Sequence, residues 1–160
     1  MKLNHDISLR HIREPPELKA EILLGGEPTG KYVKADSLEA AVQWQDKTLL
    51  LVTDNLCFPE AIEVLLLDKE LNIVDSALVG ITYGYGVGNF ENLQLIEPDM
   101  VRFDFSSKYP WEIQLLSKPQ CRIPFLSEPL FGVLRPFGFS RQFIVRRAPL
   151  PKKEDLFTQF

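Results

Sequence analysis

Few residues in this sequence have the types and spacing that chemistry requires. Gly80 to Asn89 reads GITYGYGVGN, with Gly84, Gly86 and Gly88 at every second position. Glycines at a strand–helix turn let backbone N–H groups close on a phosphate, but the pattern G-x-G-x-x-G needs a glycine where Asn89 stands. No Gly-Lys-Ser/Thr follows either, so the run reads as a flexible connection between strands that carries Tyr83, Tyr85 and Phe90. Tyrosine among glycines suits a recognition loop, because it gives large contact area for a small loss of side-chain freedom.

Catalytic groups are equally sparse. His5 and His11 are the only histidines, and six residues apart near one terminus they match no zinc spacing. Cys57 sits in LCFPE among Asp54, Glu60 and Glu63, which disfavour a thiolate, and no base stands beside it. With Cys121 far away in sequence, the two cysteines read as small inert thiols in the core or just beneath the surface. The serines form no G-x-S-x-G elbow. Paired carboxylates, Asp54 with Glu60 and Asp68 with Glu70, would need a cleft to set their pKa values apart, and in turns they are simply solvated. The sequence therefore points away from an enzyme and calls for no cofactor or metal.

The stretch RPFGFSR, Arg135 to Arg141, followed by Arg146 and Arg147, interleaves cations with Phe137 and Phe139. Such a pattern can stack nucleic-acid bases, but a pI near 5.3 opposes that reading. The phenylalanines are expected to fill the core and the arginines to pair with the acidic surface.

Strands must position whatever site exists. Leu38, Ala40, Val42 and Trp44 alternate with Glu39, Ala41 and Gln43, and Thr48 to Thr53 is a continuous apolar run suited to a strand covered on both faces. Ile62–Leu67 and Ile73–Val79 flank a polar turn at 68–72, and Leu93–Ile96 and Met100–Phe105 flank Glu97-Pro98-Asp99. Trp111–Leu116 and Gln142–Arg146 complete the set. Prolines 119, 124, 129 and 136 bar a central strand from 119–141, which reads as an aromatic-rich loop closing one end. Pro15-Pro16 before ELKAEILL and Gly25-Gly26 after it have helix punctuation, so a short helix or an irregular cover is expected there, although the stretch is short enough to be a strand instead.

Together these give an all-β, mainly antiparallel domain over residues 1–147, a sandwich or partly open barrel of seven to eight short strands, with 148–160 as a mobile tail. The first residues lack the apolar core of a secretory signal, and no window approaches a membrane span, so a cytoplasmic protein away from membranes is expected.

Charge is unevenly distributed. Residues 1–117 carry 10 Lys+Arg against 19 Asp+Glu, a net of −9, whereas 118–160 carry 8 against 3, a net of +5. Between Asp46 and Asp99 only Lys47 and Lys69 oppose ten acidic residues. That block discourages nucleic acid and favours a basic protein partner.

The segments TLLLVTDN, EVLLLDKELNIVDSA, VRFDF and WEIQLL, together with RPFGFSR, resemble small bacterial immunity-type proteins of polymorphic or contact-dependent toxin systems, over roughly residues 38–147. The resemblance implies a non-enzymatic cytoplasmic protein that binds a cognate toxin, a basic domain in many such systems, and occludes it. An acidic, tyrosine-bearing edge would supply the contacts, with Asp54, Glu60, Asp68, Glu70, Tyr83, Tyr85 and Glu91 as candidates. A small-ligand carrier enclosed by eight strands and lined with phenylalanine is the alternative, and a structural or interaction subunit is another.

Overall fold

A strand with no polar side must be covered twice. Thr48 to Thr53 is such a strand, and in the computed structural model it lies at the heart of a three-layer, all-β stack. The structure describes residues 1–13, 17–54, 61–81, 88–106, 109–123, 126 and 131–149. Among them the chain forms β1 (Lys2–Leu3), β2 (Ile7–Arg13), β3 (Lys19–Leu24), β4 (Glu27–Val33), β5 (Ser37–Trp44), β6 (Lys47–Thr53) and β7 (Ile62–Leu67). There follow β8 (Ile73–Val79), β9 (Glu91–Ile96), β10 (Met100–Asp104), β11 (Trp111–Cys121), β12 (Val133–Leu134) and β13 (Ser140–Arg147).

Three antiparallel sheets result: a central one in the order β1-β5-β6-β7-β8-β12, a second in the order β13-β11-β10-β9, and a third in the order β2-β3-β4. None closes into a barrel. Period-2 alternation sorts the central side chains between two cores. Leu49, Leu51, Val64 and Leu66 face Phe103, Trp111, Ile113, Phe143 and Val145 of the four-stranded sheet. Leu50, Val52, Leu65 and Leu67 face Ile7, Ala20, Ile22 and Val33 of the three-stranded sheet.

The expected strands from residue 37 onward are present, within a few residues at their ends. Residues 1–33 differ. The expected helix or irregular cover is β3 instead, paired on both sides, and it brings a third sheet and more strands than the seven or eight expected. Ala20 and Ile22 point into the second core, and this burial outweighs the proline–glycine punctuation around the segment. Pro119 does lie in a strand, but at the exposed end of β11, where the pairing with β13 shifts register and no ladder bond from proline is needed.

The glycine-rich run has a packing explanation at its ends. Gly80 adopts φ +83°, and a Cβ there would fall 2.5 Å from the Phe105 ring. At Gly88 a Cβ would lie 1.9 Å from Ser106 Oγ and 2.5 Å from the same ring. Side chains at either place would displace a fully buried core aromatic. Tyr83, Tyr85, Gly84 and Gly86 lie outside the described residues.

Candidate functional site: a strap with an aromatic outer face

Residues 131–139 form a strap along β8 of the central sheet and β13 of the four-stranded sheet. Arg122 N–H donates to the Phe139 carbonyl (2.7 Å) at one end of it. At the other end of the sandwich the Gly132 carbonyl accepts the Gly80 N–H (2.7 Å), and Arg147 Nη2 donates to the Phe131 carbonyl (3.2 Å). Gly132 sits against Trp111, where a Cβ would meet the indole at 3.1 Å. The two residues of β12 then pair with β8, Val133 opposite Val79 and Leu134 opposite Leu78, so Val133 packs on the core while Leu134 faces out.

The next residue pins the strap from inside. Arg135 and Asp75 form an ion pair whose side chains are 4% and 5% exposed, with Nη2 and Oδ1 2.6 Å apart. Arg135 also donates to the Ser76 carbonyl (Nε, 3.2 Å) and the Phe143 carbonyl (Nη1, 3.0 Å), and lies 4.2 Å over the Phe143 ring. Asp75 Oδ2 accepts the Gln142 N–H at 2.7 Å, and Oδ1 accepts the Ser76 N–H. One buried pair thus joins β8, the strap and β13. A planar guanidinium suits this junction, since its fork reaches a carboxylate and two carbonyls while its face rests on a ring.

With the strap anchored inward, its described apolar side chains other than Val133 stand outward. Phe131 is 80% exposed, Phe137 76% and Phe139 56%, and Ile123, Leu126 and Leu134 are exposed with them. Phe137 and Phe139 touch edge to face, centroids 5.5 Å apart. The expectation that Phe137 and Phe139 fill the core is overturned. Strand alternation ends at Pro136, and the aromatic positions inside are already occupied by Phe103, Phe105, Trp111 and Phe143. The expected pairing of arginine with the acidic surface is corrected too: Arg135 meets Asp75 in the interior. Cys121 is an exposed free thiol at the end of β11, and Cys57 lies outside the described residues.

Of the seven residues expected to form one acidic edge, the four that the structure describes do not come together. Asp68 and Glu70 occupy the turn between β7 and β8; Asp54 ends β6 at the opposite end of the central sheet, about 20 Å away by strand rise. Glu91, exposed at the start of β9, lies opposite Asp104 toward the Asp54 end. Glu60, Tyr83 and Tyr85 lie outside the described residues. Asp68 builds its own turn, accepting the N–H groups of Asn72 (2.8 Å) and Glu70 (3.0 Å). These bonds, the Asn72 N–H first, hold its carboxyl below the usual range. The turns at 45–46, 68–72 and 97–99 share one end, which gathers Asp46, Asp68, Glu70, Glu97 and Asp99.

His11 is exposed against Asp36 (Nε2 to Oδ1, 3.3 Å), and no group of potential metal ligands gathers among the described residues. Nor, among them, is any helix long and apolar enough to cross a membrane. A shallow pocket of about 330 Å³ beside β3 and β4 is lined in part by Arg13, Lys19, Tyr32 and Lys34; Arg13 is paired with Glu17 (2.7 Å), and Lys19 lies 4.2 Å over the Tyr32 ring.

Comparison with known proteins returns nothing. No protein-family model, curated protein or solved structure matches the chain.

Glu63 provides a check on the electrostatics near Asp54. Burial raises its carboxyl pKa, with Lys34 opposing and Asp54 adding to the shift. A raised carboxyl contributes stability below the unfolded value, near 4.3, and that contribution is lost as pH rises through the folded value. Glu63→Gln is therefore expected to gain stability relative to the parent as pH rises above the unfolded value of about 4 toward the raised folded value, read as a urea-midpoint difference that widens with pH. A difference that stays constant would contradict it.

Proposed function

We propose that this chain is a non-enzymatic, cytoplasmic protein-binding domain that grips its partner with the strap's outer face, as an immunity-type inhibitor grips and blocks a toxin. The observation that carries this reading is the exposure of Phe131, Leu134, Phe137 and Phe139 on a segment anchored from within by the Arg135–Asp75 pair. Apolar side chains grouped on a surface mark contact sites, and aromatics with arginine dominate the energetics of interfaces. Anchoring lowers the ordering cost of association, because the face is already held when the partner arrives. Acidic turns at one end would speed encounter with a basic domain without forming the grip itself. Phe103, Phe105 and Phe143 are fully buried in the core cluster and not set around a ligand, which favours surface contact over a small-ligand cargo.

The test is affinity capture from the protein's own cells with the immobilised parent chain and the Phe137→Ser/Phe139→Ser variant. The parent is expected to retain a defined protein, identified by mass spectrometry, that the variant holds at least about tenfold more weakly. Equal retention by the two chains would overturn the placement of the site.

A further inference from the structure

Two residues past the exposed phenylalanine pair in sequence stands a buried cation, Arg141, with no carboxylate partner among the described residues. Arg141 is 8% exposed, and its side chain donates to two carbonyls, Pro136 (Nη2, 3.0 Å) and Ser140 (Nη1, 3.4 Å). Among the described residues no carboxylate stands within 4.0 Å of it. This contrasts with the other cations drawn close to the protein body. Arg135 meets Asp75, Arg102 meets Glu112, and Arg10 meets Glu21. Taking a charge out of water is costly unless an opposite charge and hydrogen bonds accompany it. A guanidinium carries five N–H donors in a planar fork, and two carbonyls leave that fork incompletely used.

Gly138 lies beside the guanidinium, where a Cβ would come to 3.4 Å from Nη1, in ordinary contact. Glycine places no side chain on that flank of the fork, and the rings of its two chain neighbours, Phe137 and Phe139, touch each other edge to face. The exposed Arg146 lies on the same strand, and the C-terminal quarter of the chain carries the positive excess.

We propose that Arg141 is the receptor for a carboxylate of the bound protein, presented by a segment whose flanking apolar side chains pack on Phe137 and Phe139. This rests on the strap being the contact surface and adds the chemistry of what it recognises: an acidic residue within an apolar stretch of polypeptide. The fork would accept a carboxylate in two parallel N–H···O bonds, the geometry that lysine cannot reproduce. The fork itself selects a negative group, at the same end of the molecule as the acidic turns at 68–72 and 97–99.

The experiment uses the full chain labelled with ¹⁵N and two capped peptides, one with glutamate between two leucines and one with glutamine in its place. The glutamate peptide is expected to shift the Arg141 Nε–H signal together with the amides of Phe137 and Phe139, saturably and more weakly as salt rises. The glutamine peptide should bind roughly tenfold more weakly. Arg141→Lys and Arg141→Gln, each checked for an unchanged amide spectrum elsewhere, should abolish that preference, and Gly138→Ala should reduce it. Equal binding of the two peptides at the phenylalanines would overturn the carboxylate receptor and leave the strap as the contact surface. Absence of any shift at Arg141 would overturn the receptor outright. Should either Arg141 variant lose its fold, Gly138→Ala and the peptide pair still decide the question.

Discussion

Replacing Asp75 with alanine is expected to cost about 3–5 kcal/mol of folding stability, the range for removing one partner of a buried ion pair. The loss has three parts. Arg135 keeps its charge in a place where its side chain is 4% exposed, the Gln142 N–H loses its acceptor, and the strap loses its tie to β8. A domain of this size has a total stability of roughly 5–15 kcal/mol, so a substantial unfolded fraction is expected at moderate temperature. Urea unfolding followed by tryptophan fluorescence measures it, since Trp111 packs against strap residue Gly132. A loss under about 1 kcal/mol, the level of exposed pairs, would mean that water reaches the pair and the strap is held by other contacts.

The second large effect concerns the layers. Leu50 and Leu51 are neighbours on β6, both fully buried, and they face different cores. Leu50→Ala and Leu51→Ala should each cost about 2–5 kcal/mol, the transfer energy of the lost methyl groups plus that of the cavity left behind. A two-layer sandwich would leave one of these faces in water, and there the substitution would cost a few tenths of a kcal/mol up to about 1. Parallel urea titrations of the two variants compare the faces directly. A large loss at Leu51 with almost none at Leu50 would remove the three-stranded sheet from the fold.

Residues 37–116 were the legible part of the fold. There the alternation in β5 and β10, the unbroken apolar run of β6 and the polar turns at 68–72 and 97–99 each name their own structure. The first 33 residues were opaque for a physical reason. β2 has only Ile7 and Leu9 facing inward, and its exposed residues include Arg10, His11 and Arg13. β3 is a six-residue segment, too short to separate helix from strand by periodicity, and the pairings on both of its sides slip register.

The site was less legible than the fold. Connections in an antiparallel meander alternate between the two ends of a sheet, so the loop after Thr53 and the turn at Asp68 had to lie apart. Acidic residues close in sequence were grouped in the expectation without that constraint. The strap was misread because phenylalanine is usually interior. Its signal was present in LRPFGFS: Pro136 stops a strand and Gly138 separates two aromatics, which leaves Phe137 and Phe139 no regular element to carry them inward. Arg135 and Asp75 are sixty residues apart in sequence, and nothing local announces their pairing.

Unfolding of the Phe137→Ser/Phe139→Ser variant in urea bears most directly on whether these rings are displayed to a partner or packed within the protein. Displayed rings predict a midpoint within about 0.5 kcal/mol of the parent's, while the partner is lost. Core rings would instead lower stability by several kcal/mol, as about 3–5 kcal/mol is expected for each buried aromatic truncated, and that result would contradict the account.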